Sequence, residues 1–230
     1  MKEYRIIPAL DVADLETALR LVCRTAGRAS VFGYKLGFAL GLAHGLPETV
    51  RRIGEWTDKP LIYDHQKAAT DIPDTGTLFA DVMKNAGINE AILFPHTGPH
   101  TLAAWTHALR ERGIKVIVGA VMTHPAYLVS EGGFIADSSA TTICRQAAAL
   151  GVSAFVVPLT KPELVAKLAV GVPFTAQQEF YSPGFGAQKG DPAQFPMLAR
   201  HYLIMGRSLL AAEDPTKKLA EVENELGMGV

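Results

Sequence analysis

The chain has 230 residues, of which 48% are hydrophobic and 20% charged, and its formal net charge is −1. This composition is typical of a globular protein that buries a substantial core, and the charge gives no electrostatic case for binding nucleic acid or an anionic membrane. No apolar run approaches the ~20 residues of a membrane helix. Cys23 and Cys144 are too few and too far apart for a disulfide framework, so we expect a soluble protein of the reducing cytoplasm.

Short apolar runs rich in β-branched residues alternate with helical patterns along the chain. Strands are predicted at 5–10, 31–36, 60–64, 91–95, 115–121, 153–158, 173–181 and 201–206. Helices are predicted at 14–26, 46–56, 74–86, 99–112, 137–150, 161–169, 192–199 and 213–226. Eight such units without a linker predict an α/β fold, a TIM (β/α)8 barrel formed by a single domain over 1–230.

Helix ends support this division of the chain. Gly87, Gly113 and Gly151 each follow a helical pattern and precede a strand, as glycines at helix C-termini do. The polar residues of interest then follow the predicted strands. In a TIM barrel that position is the C-terminal face, where active sites lie.

A run of alternating charge follows the third predicted strand. Asp64 comes directly after Leu61-Ile-Tyr63, and Lys67 and Asp71 follow it, while Lys35 lies inside the apolar second strand. An exposed salt bridge in a loop would contribute only about 0–1 kcal/mol. A lysine inside an apolar strand, however, needs a carboxylate partner or a water-filled mouth. As a set, these four residues favour a catalytic function.

Two glycine-rich turns predict a phosphate site. The first is Ser182-Pro-Gly-Phe-Gly-Ala-Gln-Lys-Gly-Asp191, and the second is Ile204-Met-Gly-Arg-Ser208. Glycines let the backbone approach an anion, and the planar guanidinium of Arg207 matches a phosphate group. Either turn alone could be an ordinary loop, but TIM barrels often bind phosphate with the loops after strands 7 and 8.

Asp11 and Thr123 also follow predicted strands. Asp14 is better placed than Asp11 to cap the first helix, which leaves Asp11 for a ligand hydroxyl. The Thr123 hydroxyl is as well suited to a hydrogen bond with a ligand amide as to one with the backbone of its own loop.

His96 and His100 are four residues apart, but Gly98 and Pro99 between them argue against a helical metal-binding pair. No metal site is predicted, although the spacing leaves a carboxylate-bound Mg²⁺ open.

Together these segments resemble orotidine 5′-phosphate decarboxylases, especially archaeal ones. The resemblance rests on Ala9-Leu-Asp11, Tyr34-Lys-Leu-Gly37, Asp71-Ile-Pro-Asp-Thr75, Met122-Thr-His-Pro125, Ser182-Pro-Gly-Phe-Gly-Ala-Gln188 and Gly206-Arg-Ser208. It implies a cytoplasmic TIM-barrel enzyme of pyrimidine biosynthesis that converts orotidine 5′-monophosphate into uridine 5′-monophosphate without a cofactor.

The resemblance also implies a role for each residue. Asp11 and Lys35 would contact the ribose, Asp64 would pair with Lys35 and lie beside the substrate carboxylate, and Lys67 would donate the proton. In a homodimer, Asp71 and Thr75 would reach into the neighbouring site. Thr123 would bind the pyrimidine edge, and Gln188 and Arg207 would bind the phosphate. The other residues expected to bind the substrate are Pro183, Gly184 and Gly206.

One departure from the family pattern is the spacing of the charged run. The usual Asp-x-Lys-x-x-Asp is here Asp64-x-x-Lys67-x-x-x-Asp71, with one extra residue on each side of the lysine. Because an odd shift turns a side chain to the opposite face of an extended chain, the loop must bulge. Two alternatives stay open: a Mg²⁺-dependent sugar-phosphate enzyme resembling hexulose-phosphate synthase, and a non-catalytic nucleotide-binding paralogue.

Overall fold

Eight short apolar strands form a closed parallel barrel in the computed structural model, which describes residues 2–65, 69–172, 174–186, 188, 190–195 and 198–228. The strands pair in chain order, and the last pairs with the first. They are β1 (Glu3–Leu10), β2 (Tyr34–Gly37), β3 (Leu61–Asp64), β4 (Glu90–Leu93), β5 (Lys115–Gly119), β6 (Ala154–Val156), β7 (Glu179–Pro183) and β8 (Arg200–Met205). The predicted α/β TIM barrel is confirmed.

Helices follow each strand of the barrel, apart from a short turn after β7. They are α1 (Leu15–Thr25), α2 (Phe38–His44), α3 (Leu46–Gly54), α4 (Thr75–Ala86), α5 (Pro99–Glu111), α6 (Ser139–Ala149), α7 (Pro162–Gly171), α8 (Arg207–Leu210) and α9 (Pro215–Glu225), with 3-10 turns at Val129–Glu131 and Pro192–Gln194. As predicted, Asp14 caps α1 by accepting a hydrogen bond from the Thr17 amide. Gly87, with φ of 82°, ends α4 in the left-handed conformation, the usual glycine cap.

Several elements differ from the sequence prediction, among them the short helix α8 and the 3-10 turn at Val129–Glu131, which were not predicted. The strand predicted at 173–181 begins only at Glu179, because α7 extends to Gly171 and Phe174 packs in a loop against Phe155 and Phe180. Among the described residues of the helix predicted at 192–199, Pro192–Gln194 form a 3-10 turn, and the sequence has a proline at position 196, which lacks the N–H that a continuing helix needs. Helix α2 was not predicted, since its apolar residues directly continue the pattern of β2.

The strands are buried on both faces, which explains their nearly continuous apolar sequences. In β1, Ile7 and Ala9 belong to the cluster that fills the barrel, whereas Ile6 and Leu10 pack with the helices outside it. Ile62 and Ile117 belong to the inner cluster as well. This alternation leaves the ends of the strands free to carry polar groups.

An ionic cluster fills the barrel at the N-terminal ends of its strands. The Lys115 ammonium pairs with Glu179 and lies 3.5 Å from Glu90. Tyr181 donates to Glu90 at 2.7 Å, and Tyr202 donates to Glu179 at 3.0 Å. Burial raises the pKa of Glu90, against the opposing effect of the Lys115 charge. Because buried charges require such partners, this cluster stabilises the fold at the end of the barrel where TIM barrels do not carry chemistry.

Two further observations bear on the sequence expectations. No described helix is both long enough and apolar enough to cross a bilayer. Cys23 is exposed, Cys144 is buried, and both are free thiols. The single-domain boundaries 1–230 remain a prediction.

His201, on β8, is a buried base that couples folding to pH. Its side chain is only 1% exposed among aromatic rings, and its Nδ1 lies 3.2 Å from the Ser182 hydroxyl. Burial, with a smaller contribution from the Lys2 charge, lowers the pKa of His201 from 6.5 to about 4. Between these two values the unfolded chain binds a proton that the folded chain does not. Stability is therefore complete above pH 6.5 and falls as the pH drops toward 4.

We predict that His201→Leu flattens this pH dependence. From pH 8 to pH 5 the wild type should lose about 2 kcal/mol of unfolding free energy that the variant keeps. Urea unfolding of both proteins at the two pH values measures the difference, with a replacement of the exposed His100 as the control. Parallel pH dependences for wild type and His201→Leu would contradict the assignment.

Candidate active site

A cavity opens at the C-terminal ends of the strands. Among the residues predicted from the sequence, those that line it are Asp11, Lys35, Asp64, Thr123, Pro183, Gly184, Gln188, Gly206 and Arg207. They come from six strands or the loops after them (β1, β2, β3, β5, β7 and β8), and all except Lys35, which lies inside β2, end a strand or follow one. Parallel closure brings these ends together at one face of the barrel.

The register of the first three strands explains how the charged residues meet. Lys35 on β2 lies beside Ala9 of β1, two residues before Asp11. On the other side of β2, Gly37 pairs with Asp64, the last residue of β3. A lysine side chain that extends toward the C-terminal end of β2 therefore passes between two carboxylates.

Lys35 forms ion pairs with both of these carboxylates. Its ammonium lies 2.9 Å from Asp11 Oδ1 and 3.1 Å from Asp64 Oδ2. The side chains of Lys35 and Asp64 are each only 7% exposed, whereas that of Asp11 is 52% exposed. Burial acts to lower the pKa of Lys35, but the charges of Asp64 and Asp11 outweigh it, so the pKa is raised. Lys35 is therefore a fixed positive charge near neutral pH.

Gly37 makes room for Asp11. A Cβ atom at this position would lie 2.5 Å from Asp11 Oδ1, closer than non-bonded atoms approach. Any side chain at position 37 would displace the carboxylate that Lys35 contacts. This contact explains why a glycine follows Tyr34-Lys-Leu in the second strand.

The loops after β7 and β8 form a second polar part of the cavity. Gly184 and Gly186 have φ of 101° and 76°, a region that residues with a Cβ rarely adopt. The amide of Gly190 donates to the Gly184 carbonyl at 2.9 Å, which closes the turn. Arg207 is exposed, and no ion pair within the described part of the chain engages its guanidinium. The charge and the open backbone of this region suit a phosphate group.

Several residues of the site were not predicted from the sequence. The cavity has an apolar wall formed by Phe94, Val121, Val156 and Ile204. These residues continue apolar strands, so nothing in the sequence separates them from the core. Ser208 also lines the cavity, and its hydroxyl makes no hydrogen bond with any residue that the structure describes. Its position directly after Arg207 was a usable signal.

Asp71 and Thr75 lie outside this cavity lining. Asp71 is exposed, with its side chain accepting a hydrogen bond from the Ile72 amide at 2.7 Å. Thr75 begins α4, and its hydroxyl donates to the Ile72 carbonyl. Lys67, the predicted proton donor, lies outside the described residues. The roles of these three residues remain predictions.

The described residues contain no group of three or more His, Cys, Asp or Glu side chains that could hold a metal ion. Asp11 and Asp64 both form ion pairs with the Lys35 ammonium. The ammonium therefore occupies the position between the two carboxylates that a divalent cation would otherwise take. A cation in that position would have to displace Lys35.

The fold is a TIM barrel, and its cavity combines a buried lysine–carboxylate network with two loops that suit a phosphate group. The sequence model of the Orotidine 5′-phosphate decarboxylase / HUMPS family matches residues 4–222. The orotidine 5′-phosphate decarboxylase of Methanosarcina mazei is 31% identical over 96% of this chain and 94% of its own length. That of Methanosarcina barkeri is 32% identical over 98% and 96%.

Solved structures agree with this match. The orotidine 5′-monophosphate decarboxylase of Methanocaldococcus jannaschii, complexed with the inhibitor BMP, superimposes with a TM-score of 0.82. It is 25% identical and covers 96% of this chain and 98% of its own. The chain belongs to the Orotidine 5′-phosphate decarboxylase / HUMPS family, and the resemblance read from its motifs is confirmed.

Proposed function

We propose that the protein catalyses the decarboxylation of orotidine 5′-monophosphate to uridine 5′-monophosphate in pyrimidine biosynthesis, without a metal or cofactor. The observation that carries the proposal is the buried Lys35 ammonium between Asp11 and Asp64, in one cavity with the Arg207 loop. The family match and relatives named for this activity across nearly the whole chain support it. A cytoplasmic location, inferred from the free cysteines, belongs to the same proposal.

The chemistry follows from the charges in the cavity. When the bond between the ring carbon and the carboxylate breaks, CO₂ leaves and its electron pair stays on the ring carbon. The positive charge of the Lys67 ammonium, held near that carbon, would stabilise the new anion without reorganising. Lys35 keeps the network in place and reaches the ribose, while Lys67 supplies the proton that completes the product.

Asp64 has a separate role beside the substrate carboxylate. It is buried and held by Lys35, so it cannot turn toward water when the substrate binds. Two carboxylates at close range repel one another, and the repulsion ends when one leaves as neutral CO₂. This contribution adds to the stabilisation of the anion by Lys67.

Substrate binding is divided between the two sides of the cavity. Arg207 and Gln188, with Pro183, Gly184 and Gly206, would hold the phosphate, and Thr123 would contact the pyrimidine edge. Strands β7 and β8 lie four and three strands from β3 in the closed barrel, so phosphate binding is separated from the bond that breaks. Binding energy from the phosphate can then be used to orient the ring.

We predict that orotidine 5′-monophosphate is converted to the uridine nucleotide and that EDTA leaves the rate unchanged. The Lys35 ammonium already occupies the position between Asp11 and Asp64, so no metal is needed there. A spectrophotometric assay with and without chelator measures this. Loss of activity with EDTA would favour a Mg²⁺-dependent sugar-phosphate enzyme, and nucleotide binding without turnover would favour a non-catalytic paralogue.

We predict that substitutions at the two ends of the substrate change different kinetic constants, kcat at one end and KM at the other. Lys67→Ala should abolish turnover while binding of uridine 5′-monophosphate stays measurable, because only the proton donor is lost. Arg207→Ala should mainly raise KM, since a phosphate contact contributes binding energy. Steady-state kinetics and a binding titration separate the two. Near-normal kcat for Lys67→Ala, or an unchanged KM for Arg207→Ala, would contradict the respective role.

The proposal includes a homodimer in which Asp71 and Thr75 complete the neighbouring site. Two observations support it: neither residue belongs to the cavity lining of its own chain, and large apolar side chains beside them are exposed. These are Ile72 (58%), Leu78 (67%) and Val82 (46%), of which the last two are four residues apart on α4. Such a stripe suits burial against a second copy.

We predict that two inactive variants restore each other when their subunits are exchanged. A dimer of one Lys67→Ala chain and one Asp71→Ala chain has one intact site if Asp71 acts in the partner. Random reassembly should then recover about a quarter of the wild-type rate. Absence of recovery, with subunit exchange demonstrated by mass spectrometry, would place Asp71 in its own chain's site.

A further inference from the structure

We infer that three side chains of the α5 segment, Thr97, Thr101 and Trp105, are positioning residues for the loop that joins β3 to α4. This loop follows Asp64, precedes Thr75, and includes Lys67 and Asp71 in its sequence. The inference deepens the proposed function and rests on it, because the loop matters for turnover only if its charged residues act in the reaction.

The anchor consists of hydrogen bonds from α5 to backbone carbonyls at the far end of the loop. Thr101 donates to the Asp71 carbonyl at 2.9 Å, and Trp105 Nε1 donates to the Ile72 carbonyl at 3.0 Å. The Thr97 hydroxyl lies 3.0 Å from the Ala69 carbonyl and 3.1 Å from that of Asp71. A hydroxyl has one proton, so Thr97 shares it between the two acceptors.

The spacing of the donors makes them a single structural unit. Thr101 and Trp105 are four apart, so they lie on the same side of α5, and Thr97, in the turn before the helix, contacts the same Asp71 carbonyl as Thr101. Thr101 and Trp105 are only 3% and 4% exposed. Each hydrogen bond from such a shielded donor contributes about 0.5–1.5 kcal/mol, so together they hold the Asp71 and Ile72 carbonyls against α5.

Packing of Trp105 joins the same helix to the start of α4. Its ring stacks on Phe79 with centroids 4.8 Å apart. Gly76, in the first turn of α4, approaches so closely that a Cβ there would lie 2.7 Å from Trp105 Cδ1. The segment from Asp71 to α4 is thus fixed against α5 by packing as well as by hydrogen bonds.

The conformation of the loop shows why an anchor is needed. Ala69 has φ of 63°, a left-handed conformation that is unfavourable for a residue with a Cβ, and its side chain is fully buried. Strain of about 1–3 kcal/mol persists only where the surroundings hold it. The Thr97 contact with the Ala69 carbonyl is directly at this point. The start of the loop is held by Lys35 through Asp64, and its end by α5.

The chain contains a matched control for this arrangement. Thr106 is on the same helix and is 2% exposed, but its hydroxyl makes no hydrogen bond with any described residue. Thr101→Val and Thr106→Val therefore remove the same atom from the same helix at similar burial. Only the first removes a contact with the loop.

The experiment compares Thr101→Val, Thr101→Ser and Thr106→Val with the wild type. We expect Thr101→Val to lower kcat about tenfold or more, since small displacements of reacting groups are costly. Its KM should change little, because the phosphate loops are across the barrel. Thr101→Ser, which keeps the hydroxyl, should restore kcat, and Thr106→Val should leave both constants unchanged. An unaltered kcat in Thr101→Val, or a loss that follows the fraction unfolded in all three variants, would overturn the inference.

Amide hydrogen exchange over residues 69–76 provides a readout independent of activity. Exchange should be faster in Thr101→Val than in wild type or Thr106→Val, even if the wild type does not decarboxylate the nucleotide. An inactive wild type therefore refutes the proposed function, whereas equal exchange in the two valine variants refutes the anchor alone.

Discussion

The buried ammonium of Lys35 is the interaction on which the site depends. The residues before and after it in β2, Tyr34 and Leu36, are completely buried. A charge at such a position is tolerated only with partners. Its two partners come from the strands on either side, Asp11 after β1 and Asp64 at the end of β3. The network therefore forms only when three strands are paired in the correct register, so the pairing of β1, β2 and β3 and the assembly of the charged site are the same structural event.

The rest of the cavity is arranged around this network. The apolar wall is formed by residues of β4, β5, β6 and β8 or directly after them, and the glycine turns after β7 and β8 leave backbone and guanidinium open to an anion. The opposite end of the barrel contains its own satisfied ionic cluster around Lys115. Stability and ligand recognition thus use separate sets of charges at the two ends of one core.

Much of this arrangement could be predicted because apolar runs and glycine caps have strong local causes. The eight strands, Asp14 as a cap and the gathering of Lys35, Asp64 and Arg207 at one cavity all follow from local pattern and parallel closure. What could not be predicted depends on contacts between distant segments. Helix α2 was hidden by the continuous apolar sequence after β2, and Phe174 looked like part of a strand although it packs as a loop residue.

The hydrogen-bond donors of the α5 segment could not be predicted from the sequence, for a different reason. Thr97, Thr101 and Trp105 contact carbonyl oxygens, which every residue possesses and no motif records. A sequence motif can indicate which side chains a loop contains, but not what fixes its backbone. The two-residue difference in the charged run was visible, whereas the means of holding the longer loop was not.

Anchoring through main-chain oxygens has a consequence for how this protein can change over evolutionary time. Because the acceptors are main-chain oxygens, the attachment itself does not depend on which side chains the stretch from 69 to 72 carries. It depends on the hydroxyl and indole donors that face this stretch. A substitution at one of these donors would then alter the loop without changing any residue in it.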